Sequence, residues 1–136
     1  MKLQTITKQE IAVTADMTRQ LFEDEPSNRR LTKAQFEERL ANYLENGCEA
    51  YHFMEHQEII GYALVNKSRS PYYLIDFFIC RDVRRHGYGK TAIQVLMDEL
   101  KTKALDLDVF CWNDRARAFW RSVGFEEMAV IMRRQK

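Results

Sequence analysis

The sequence predicts a mixed α/β domain, and three consecutive stretches carry that prediction. The run from Tyr72 to Cys80 is the most apolar in the chain, which is typical of a central strand buried on both faces. A glycine-containing turn follows it at 83–91, and an amphipathic helical pattern then runs from about Thr91 to Lys103. Read along the whole chain, the patterns predict about six strands and about four helices in the order β-α-α-β-β-β-α-β-α-β.

Length and composition point to one domain, covering residues 1–136. The formal net charge is +1 and 46% of the residues are hydrophobic, which argues against disorder and gives no reason to expect a nucleic-acid partner. Three widely spaced cysteines without a C-x-x-C motif or a secretory signal predict a cytoplasmic location. No apolar run reaches membrane-spanning length, so no membrane association is expected.

The first half of the chain predicts a strand, two helices and a hairpin. Two capping boxes, at Thr7 and Thr32, predict where the helices begin. The alternating segments 49–54 and 58–66 predict an antiparallel hairpin. The acidic run at 23–25 is interpreted either as a solvated loop or as a wall that faces a cationic substrate.

Few histidine or aspartate side chains of the predicted sheet are candidates for a metal site or a catalytic site. His52 and His56 have no partner at ligand spacing, so we predict no metal site and expect both rings to be exposed. Asp76 is unusual because it lies in the middle of the apolar strand. A carboxylate there must be paired or hydrogen-bonded, or have its pKa raised by desolvation. Two interpretations stay open, a structural aspartate bonded to the backbone or an arginine, and a general base.

The glycine turn has the features of an anion site. Gly87 and Gly89 permit tight backbone conformations and close approach of a ligand. The first amides of the following helix lack partners within the helix and lie at the positive end of its dipole. A plain strand–helix connection is the simplest alternative. A P-loop is another, because Gly89-Lys90-Thr91 resembles its end, but Arg84 stands where that motif needs glycine.

A second motif follows the helix and a predicted strand from Leu105 to Cys111. Asn113 or Asp114 caps a short helix, Gly124 ends it, and a last strand is predicted from Phe125 to about Arg133. The turn 84–89 resembles the [RQ]-x-x-G-x-[GA] loop of the GNAT superfamily of acetyl-CoA-dependent N-acetyltransferases. The segment 113–125 resembles the superfamily's second signature, N-x-x-A-x-x-F-[YW]-x-x-x-G-F.

The resemblance implies a mostly antiparallel sheet that opens into a V-shaped slot for acetyl-CoA. The pantetheine arm would pair with backbone near Ile79, and the diphosphate would lie on the amides of the glycine turn. Asn113 would bond the pantetheine and Phe119 would pack beside it. The residues implied to bind the co-substrate are Phe78, Ile79, Arg84, Arg85, His86, Gly87, Tyr88, Gly89, Lys90, Asn113 and Phe119.

The implied reaction is direct attack of a primary amine of a small molecule or protein on the thioester carbonyl. A base, or a water that it orders, removes the amine proton, with Asp76 as the candidate base, and a backbone N–H near Ile79 is the implied oxyanion donor. Trp120 stands where many members have a tyrosine that serves as the acid, and an indole N–H is only a hydrogen-bond donor. Another tyrosine (Tyr72, Tyr73 or Tyr88) or water then protonates the thiolate, or the thiolate leaves unassisted. This substitution keeps a second interpretation open, a non-catalytic acetyl-CoA-binding module, and a P-loop phosphotransferase is a third. Dimers are frequent in the family, so a homodimer is compatible with the resemblance.

Overall fold

A computed structural model describes residues 1–25 and 30–135. Strand β1 is followed by a one-turn 3-10 helix and by two helices, and an antiparallel meander of three strands comes next. A third helix, a short strand and a fourth helix complete the order. The bounds are β1 Lys2–Thr5, α1 Ile11–Asp24, α2 Lys33–Glu45, β2 Cys48–Glu55, β3 Glu58–Asn66, β4 Tyr72–Ile79, α3 Tyr88–Leu100, β5 Leu105–Asp106 and α4 Asp114–Ser122.

The five strands form one sheet in sequence order. β1 to β4 pair antiparallel, and β5 joins the edge of β4 in parallel. The β4–β5 pairing is confined to Tyr72 with Leu105 and Tyr73 with Asp106. Beyond those pairs the two segments separate, so most of β4 has no strand partner on that side among the described residues. The predicted mostly antiparallel α/β architecture is therefore confirmed. The side of β4 that lies beyond the pair of Tyr73 with Asp106 has no strand partner among the described residues, and we call this side the opening beside β4.

Each face of the sheet is covered by its own apolar core. On one face, helix α3 contributes Ala92, Ile93, Leu96 and Leu100, which pack against side chains such as Phe53 and Val65. On the other face, Met17 of α1 and Leu40 of α2 pack against Tyr62, Leu64 and Phe78. Gly61 allows β3 and β4 to approach closely, because a Cβ there would lie 2.1 Å from the Phe78 carbonyl oxygen.

The predicted helix starts are confirmed by their caps. The Thr32 Oγ1 accepts a 3.2 Å hydrogen bond from the Gln35 N–H, and the Gln35 side chain accepts from the Thr32 N–H at 2.8 Å. Asn113 caps α4 by accepting a 3.1 Å hydrogen bond from the Ala116 N–H. No helix in the described part of the chain is long and apolar enough to cross a bilayer.

Three sequence-based expectations about the fold are wrong. The strand predicted from Leu105 to Cys111 ends at Asp106, and the last strand, predicted from Phe125 to about Arg133, is absent, which leaves five strands instead of about six within residues 1–25 and 30–135. Alternation makes a segment able to pair, but a strand also needs a neighbour. His52 is buried rather than exposed, because it lies in β2 beneath α1 and its Nε2 is 2.8 Å from the Thr14 hydroxyl.

Candidate active site

The opening beside β4 exposes backbone groups at its C-terminal end. The Phe78 carbonyl faces Gly61 on β3, and the Cys80 N–H donates to the Ile60 carbonyl at 2.8 Å. Since successive residues of a strand direct their peptide groups to opposite edges, the N–H and C=O of Ile79 face the opening. The Ile79 carbonyl accepts a 2.8 Å hydrogen bond from Nε of Arg84. Its N–H is therefore the donor that this end of β4 offers to a ligand.

The glycine turn leads directly into α3. Gly87 is the residue before the helix and has a φ of +75°, the left-handed conformation that favours glycine. Gly89 lies in the first turn, where an added Cβ would stand 3.0 Å from Cε1 of Phe119. The first turn of α3 therefore begins after a glycine and lies next to an aromatic ring from α4. This geometry suits an anion at the helix N-terminus.

The basic residues of the turn have different roles. Arg84 Nη2 bonds Oδ2 of Asp24 at 2.7 Å in addition to the Ile79 carbonyl, so this guanidinium ties the turn to α1. Arg81 bonds Oδ1 of Asp24 at 2.9 Å. Burial raises the pKa of Asp24, but the hydrogen bonds from Arg84 and Arg81 outweigh it and hold the pKa below its usual value. Arg85 and Lys90 are exposed, and neither forms an ion pair within the described part of the chain.

Aromatic side chains form the wall opposite the turn. Phe119 stacks on Phe77 of β4 with ring centroids 6.2 Å apart. Trp120 makes edge contacts to Phe77 at 5.3 Å, to Phe119 at 4.9 Å and to Phe125 at 5.2 Å. The indole of Trp120 is therefore part of the packing between α4 and the sheet. Asn113 stands at the start of the same helix, with its side-chain oxygen used as the cap.

Asp76 lies at the centre of a buried polar cluster on the α1–α2 face. Its two carboxylate oxygens accept hydrogen bonds from Nη1 and Nη2 of Arg39 at 2.8 and 3.0 Å. The Tyr62 hydroxyl donates to the same carboxylate at 2.9 Å, and the Thr18 hydroxyl is 2.7 Å from that of Tyr62. Burial and the charge of Asp76 raise the pKa of Tyr62 well above its usual value. These contacts match the structural interpretation of Asp76, bonded to an arginine.

Sequence reasoning missed Arg39 and Tyr62. Arg39 lies between Phe36 and Tyr43 at helical spacing, so a charged residue on the inward side of α2 was the available signal. The acidic run was identified, and Glu23 and Asp24 pair with Arg81. Glu25 differs, because burial and the charges of Asp76 and Asp24 raise the pKa of its carboxyl. The rest of the predicted acceptor wall includes residues 26–29, which lie outside the described residues.

The tyrosines that could serve as acids lie in different places. Tyr73 spans the β4–β5 junction, where burial and a hydrogen bond to Asp108 raise its pKa to about 12. Tyr72 packs beneath the Lys67 ammonium, 5.6 Å from the ring centroid. Tyr88 is the first residue of α3, beside the turn, with its ring centroid 5.9 Å from that of His86. Only Tyr88 of these three borders the anion site.

The comparison with protein families matches these features. The model of the acetyltransferase (GNAT) family matches residues 15–125, a span that runs from α1 through the glycine turn to Phe125. The chain therefore belongs to the GNAT acetyltransferase family. No curated protein sequence is significantly similar to it.

Solved structures share the fold at low sequence identity. A possible acetyltransferase from Clostridium difficile 630 superposes with a TM-score of 0.79 at 12% identity, covering 99% of this chain and 96% of that one. An aminoglycoside 6'-N-acetyltransferase from Acinetobacter haemolyticus gives 0.73 at 13% identity, over 100% and 98%. An aminoglycoside N-acetyltransferase in complex with CoA gives 0.72 at 17% identity, over 99% and 93%.

Proposed function

We propose that this protein is a cytoplasmic N-acetyltransferase that transfers the acetyl group of acetyl-CoA to a primary amine of a small molecule or protein. The observation that carries the proposal is the junction of two binding features. The opening beside β4 presents the Ile79 N–H, and the first turn of α3 follows Gly87. An extended amide arm joined to a diphosphate needs both, a strand edge for the arm and a helix N-terminus for the anion.

The individual residues support distinct contacts with acetyl-CoA. Backbone amides of the turn would bind the diphosphate, with exposed Arg85 and Lys90 adding positive charge. Phe119 would border the pantetheine, because it already contacts the Gly89 backbone position. Phe78 would not contact acetyl-CoA, since its side chain is 2% exposed and packs in the opposite core and its carbonyl faces Gly61 on β3. Arg84 would act indirectly by fixing the conformation of the turn.

The proposed reaction is direct attack of the neutral amine on the thioester carbonyl in a ternary complex. The Ile79 N–H would stabilise the developing oxyanion, and the two substrates would gain rate from being held together. Both carboxylate oxygens of Asp76 already accept hydrogen bonds from Arg39, and one of them also accepts from the Tyr62 hydroxyl, so neither is free to take a proton from the amine directly. We infer that water ordered by this face accepts the amine proton. CoA thiolate needs little acid assistance, because a thiol pKa of about 8.5 makes it a fair leaving group.

A non-catalytic acetyl-CoA-binding module is the second candidate. Two observations favour it, the ion pair that occupies Asp76 and the aromatic packing of Trp120. In that case the slot binds acetyl-CoA without transferring the acetyl group. Turnover with a panel of primary amines, which includes aminoglycosides, polyamines and lysine peptides, separates the two candidates.

The first experiment is thermal unfolding with acetyl-CoA, CoA and ATP–magnesium in parallel. A ligand at about one hundred times its Kd adds roughly 2.7 kcal/mol to stability. Both CoA species should therefore raise the Tm by on the order of 5 °C or more, and ATP–magnesium should not. A shift with ATP–magnesium and none with either CoA species would refute the proposed site. Binding of acetyl-CoA without acetyl transfer to any amine in the panel would support the non-catalytic module.

A further inference from the structure

The acidic run at the end of α1 contains two paired carboxylates and one without a partner. Glu23 pairs with Arg81 at 3.3 Å. Asp24 bonds Arg84 through Oδ2 at 2.7 Å and Arg81 through Oδ1 at 2.9 Å. Within the described part of the chain, the Glu25 carboxylate forms neither a hydrogen bond nor an ion pair. The three acidic residues therefore differ in what their side chains are free to do.

The contacts of its neighbours place Glu25 over β4. Asp24 is joined through Arg84 to the Ile79 carbonyl, because Nε of this arginine donates to that oxygen at 2.8 Å. Burial, and then the negative charges of Asp76 and Asp24, raise the pKa of Glu25, so its carboxyl lies near that of Asp76 as well. Asp76 and Ile79 are three residues apart on β4. Glu25 therefore lies over the C-terminal half of this strand, which carries the proposed oxyanion donor.

The surroundings of Glu25 suit proton uptake better than those of the two aspartates. Asp76 is held by Arg39 of α2, and Asp24 by two arginines whose hydrogen bonds outweigh burial and lower its pKa. Glu25 is half-buried, faces these two negative charges and has its pKa raised. A base accepts a proton more readily when its pKa is raised towards the working pH. Of these three carboxylates, Glu25 is the one whose environment favours the protonated form.

The proposed reaction needs a group that keeps the amine proton. Attack on the thioester carbonyl forms a C–N bond and breaks the C–S bond, and the nitrogen loses one proton. Water can carry that proton, but a base must hold it, because hydronium is a strong acid. Both oxygens of Asp76 already accept hydrogen bonds from Arg39. The Glu25 carboxylate beside it has no such donor among the described residues.

We propose that Glu25 is the final acceptor of the amine proton, which reaches its carboxylate through water on the α1–α2 face of β4. This inference rests on the proposed function and adds a residue to it. The attacking nitrogen gives its proton to water, and a proton of that water passes to Glu25. CoA leaves as the thiolate, and Glu25 returns its proton to the solvent before the next turnover. Asp24 has a positioning role, because its bond with Arg84 fixes the end of α1.

The first test is the pH dependence of kcat for Glu25→Gln at saturating acetyl-CoA and amine. Wild-type kcat should rise with pH as Glu25 loses its proton, whereas the variant should lack this acidic limb and have a kcat about a hundredfold lower. The KM for acetyl-CoA and the Tm shift that it causes should be unchanged. Glu25→Asp keeps the carboxylate and should recover part of the loss. Glu38→Gln, on the exposed surface of α2, is the matched control and should keep the wild-type kcat.

The outcomes separate this inference from the proposed function. If wild type acetylates amines and Glu25→Gln stays within about threefold of its kcat with the same pH profile, the role of Glu25 is overturned and the proposed function stands. A wild type that binds acetyl-CoA but acetylates no amine overturns both. Unfolding would not explain a lower kcat, because Glu25→Gln should be the more stable protein at pH 7.

The second test uses the charge of Asp76. This charge contributes to the raised pKa of Glu25, so Asp76→Asn should lower that pKa and move the acidic limb of kcat to lower pH. The profile is measured at a temperature where this variant remains folded. An acidic limb that stays at the wild-type pH, or one that disappears, would show that the titrating group is not Glu25.

Discussion

Asp76 illustrates what a sequence does and does not reveal about one residue. Its position in an apolar strand predicts that the carboxylate is buried and needs a partner. The structure agrees, because Asp76 is 5% exposed and accepts hydrogen bonds from Arg39. The partner itself, Arg39, is in a different element, and sequence spacing carries no information on that contact. The sequence gives no indication that Tyr62 bonds Asp76, because tyrosine is common in strands.

Replacing Asp76 with asparagine should destabilise the protein. The change leaves the guanidinium of Arg39, which is 15% exposed, without its anion, and breaking such a pair costs roughly 3–5 kcal/mol. Urea unfolding measures the loss. In an Arg39→Met background the same substitution should cost far less, since no charge is left unpaired. Equal costs in both backgrounds would show that the ion pair is not the source.

The turnover of the same variant, measured where it remains folded, tests the role of Asp76 in proton transfer. We expect kcat to fall by less than tenfold, because water is our proposed acceptor. A loss of about a hundredfold or more, within the range for a general base, would assign the proton to Asp76 instead.

Glu25 should make stability depend on pH. Its pKa is raised in the fold by burial and by the negative charges of Asp76 and Asp24, so folding favours the protonated form. That contribution is complete below the unfolded pKa, about 4.3, and is lost as the pH rises through the folded pKa. Glu25→Gln should therefore match wild type near pH 4 and exceed its Tm at pH 7. The exposed Glu38→Gln serves as the control, and a Tm difference that shrinks with rising pH would contradict the expectation.

At the scale of elements, short-range sequence patterns predicted helix starts reliably, but they did not predict reliably which segments pair as strands. The capping box at Thr32 identified the start of α2, and the box at Thr7 marks the one-turn 3-10 helix that precedes α1, because the cap bonds join residues three apart. The alternation from 105 to 111 and from 125 to 133 predicted two strands, of which only Leu105–Asp106 forms. Alternation does not show which strand lies beside a segment and pairs with it. For that reason the first predicted strand was too long, and the second is absent from the described residues.

We expect the turn before α3 to need glycine at position 87 only because of the backbone conformation there, and not for lack of space. A Cβ at Gly87 would meet nothing within 4 Å, so Gly87→Ala should cost about 1–2 kcal/mol through its left-handed φ of +75°. Gly87→Asn should recover much of that loss, because asparagine tolerates this conformation. Urea unfolding without ligand gives both values, and an alanine variant as stable as wild type would contradict the argument.

Acetyl-CoA affinity of the same pair of variants tests the binding role of the turn. Gly87→Ala should raise the Kd for acetyl-CoA more than Gly87→Asn, since the first turn of α3 is then less well preorganised. Isothermal titration provides the comparison. Unchanged affinity in both variants would place the diphosphate elsewhere.

For the whole molecule, the two cores should unfold as one unit because they share a single sheet. Leu96→Ala on the α3 face and Leu40→Ala on the α2 face each remove a side chain that is at most 1% exposed, at a cost of about 2–5 kcal/mol. Each should shift one common transition. Tryptophan fluorescence, which reports Trp112 and Trp120, should coincide with far-ultraviolet circular dichroism. Separate midpoints for the two probes would contradict a single cooperative domain.

Arg84 gives a reason for the residue types that its motif accepts. The first position of the [RQ]-x-x-G-x-[GA] pattern admits arginine or glutamine, which differ in charge but share side-chain N–H groups. In this protein Nε of Arg84 donates to the carbonyl at the end of β4, and the ion pair with Asp24 is added to that bond. In this protein the first residue of the motif therefore terminates a strand and joins it to α1, and glutamine at position 84 could keep the first contact but not the charge that pairs with Asp24.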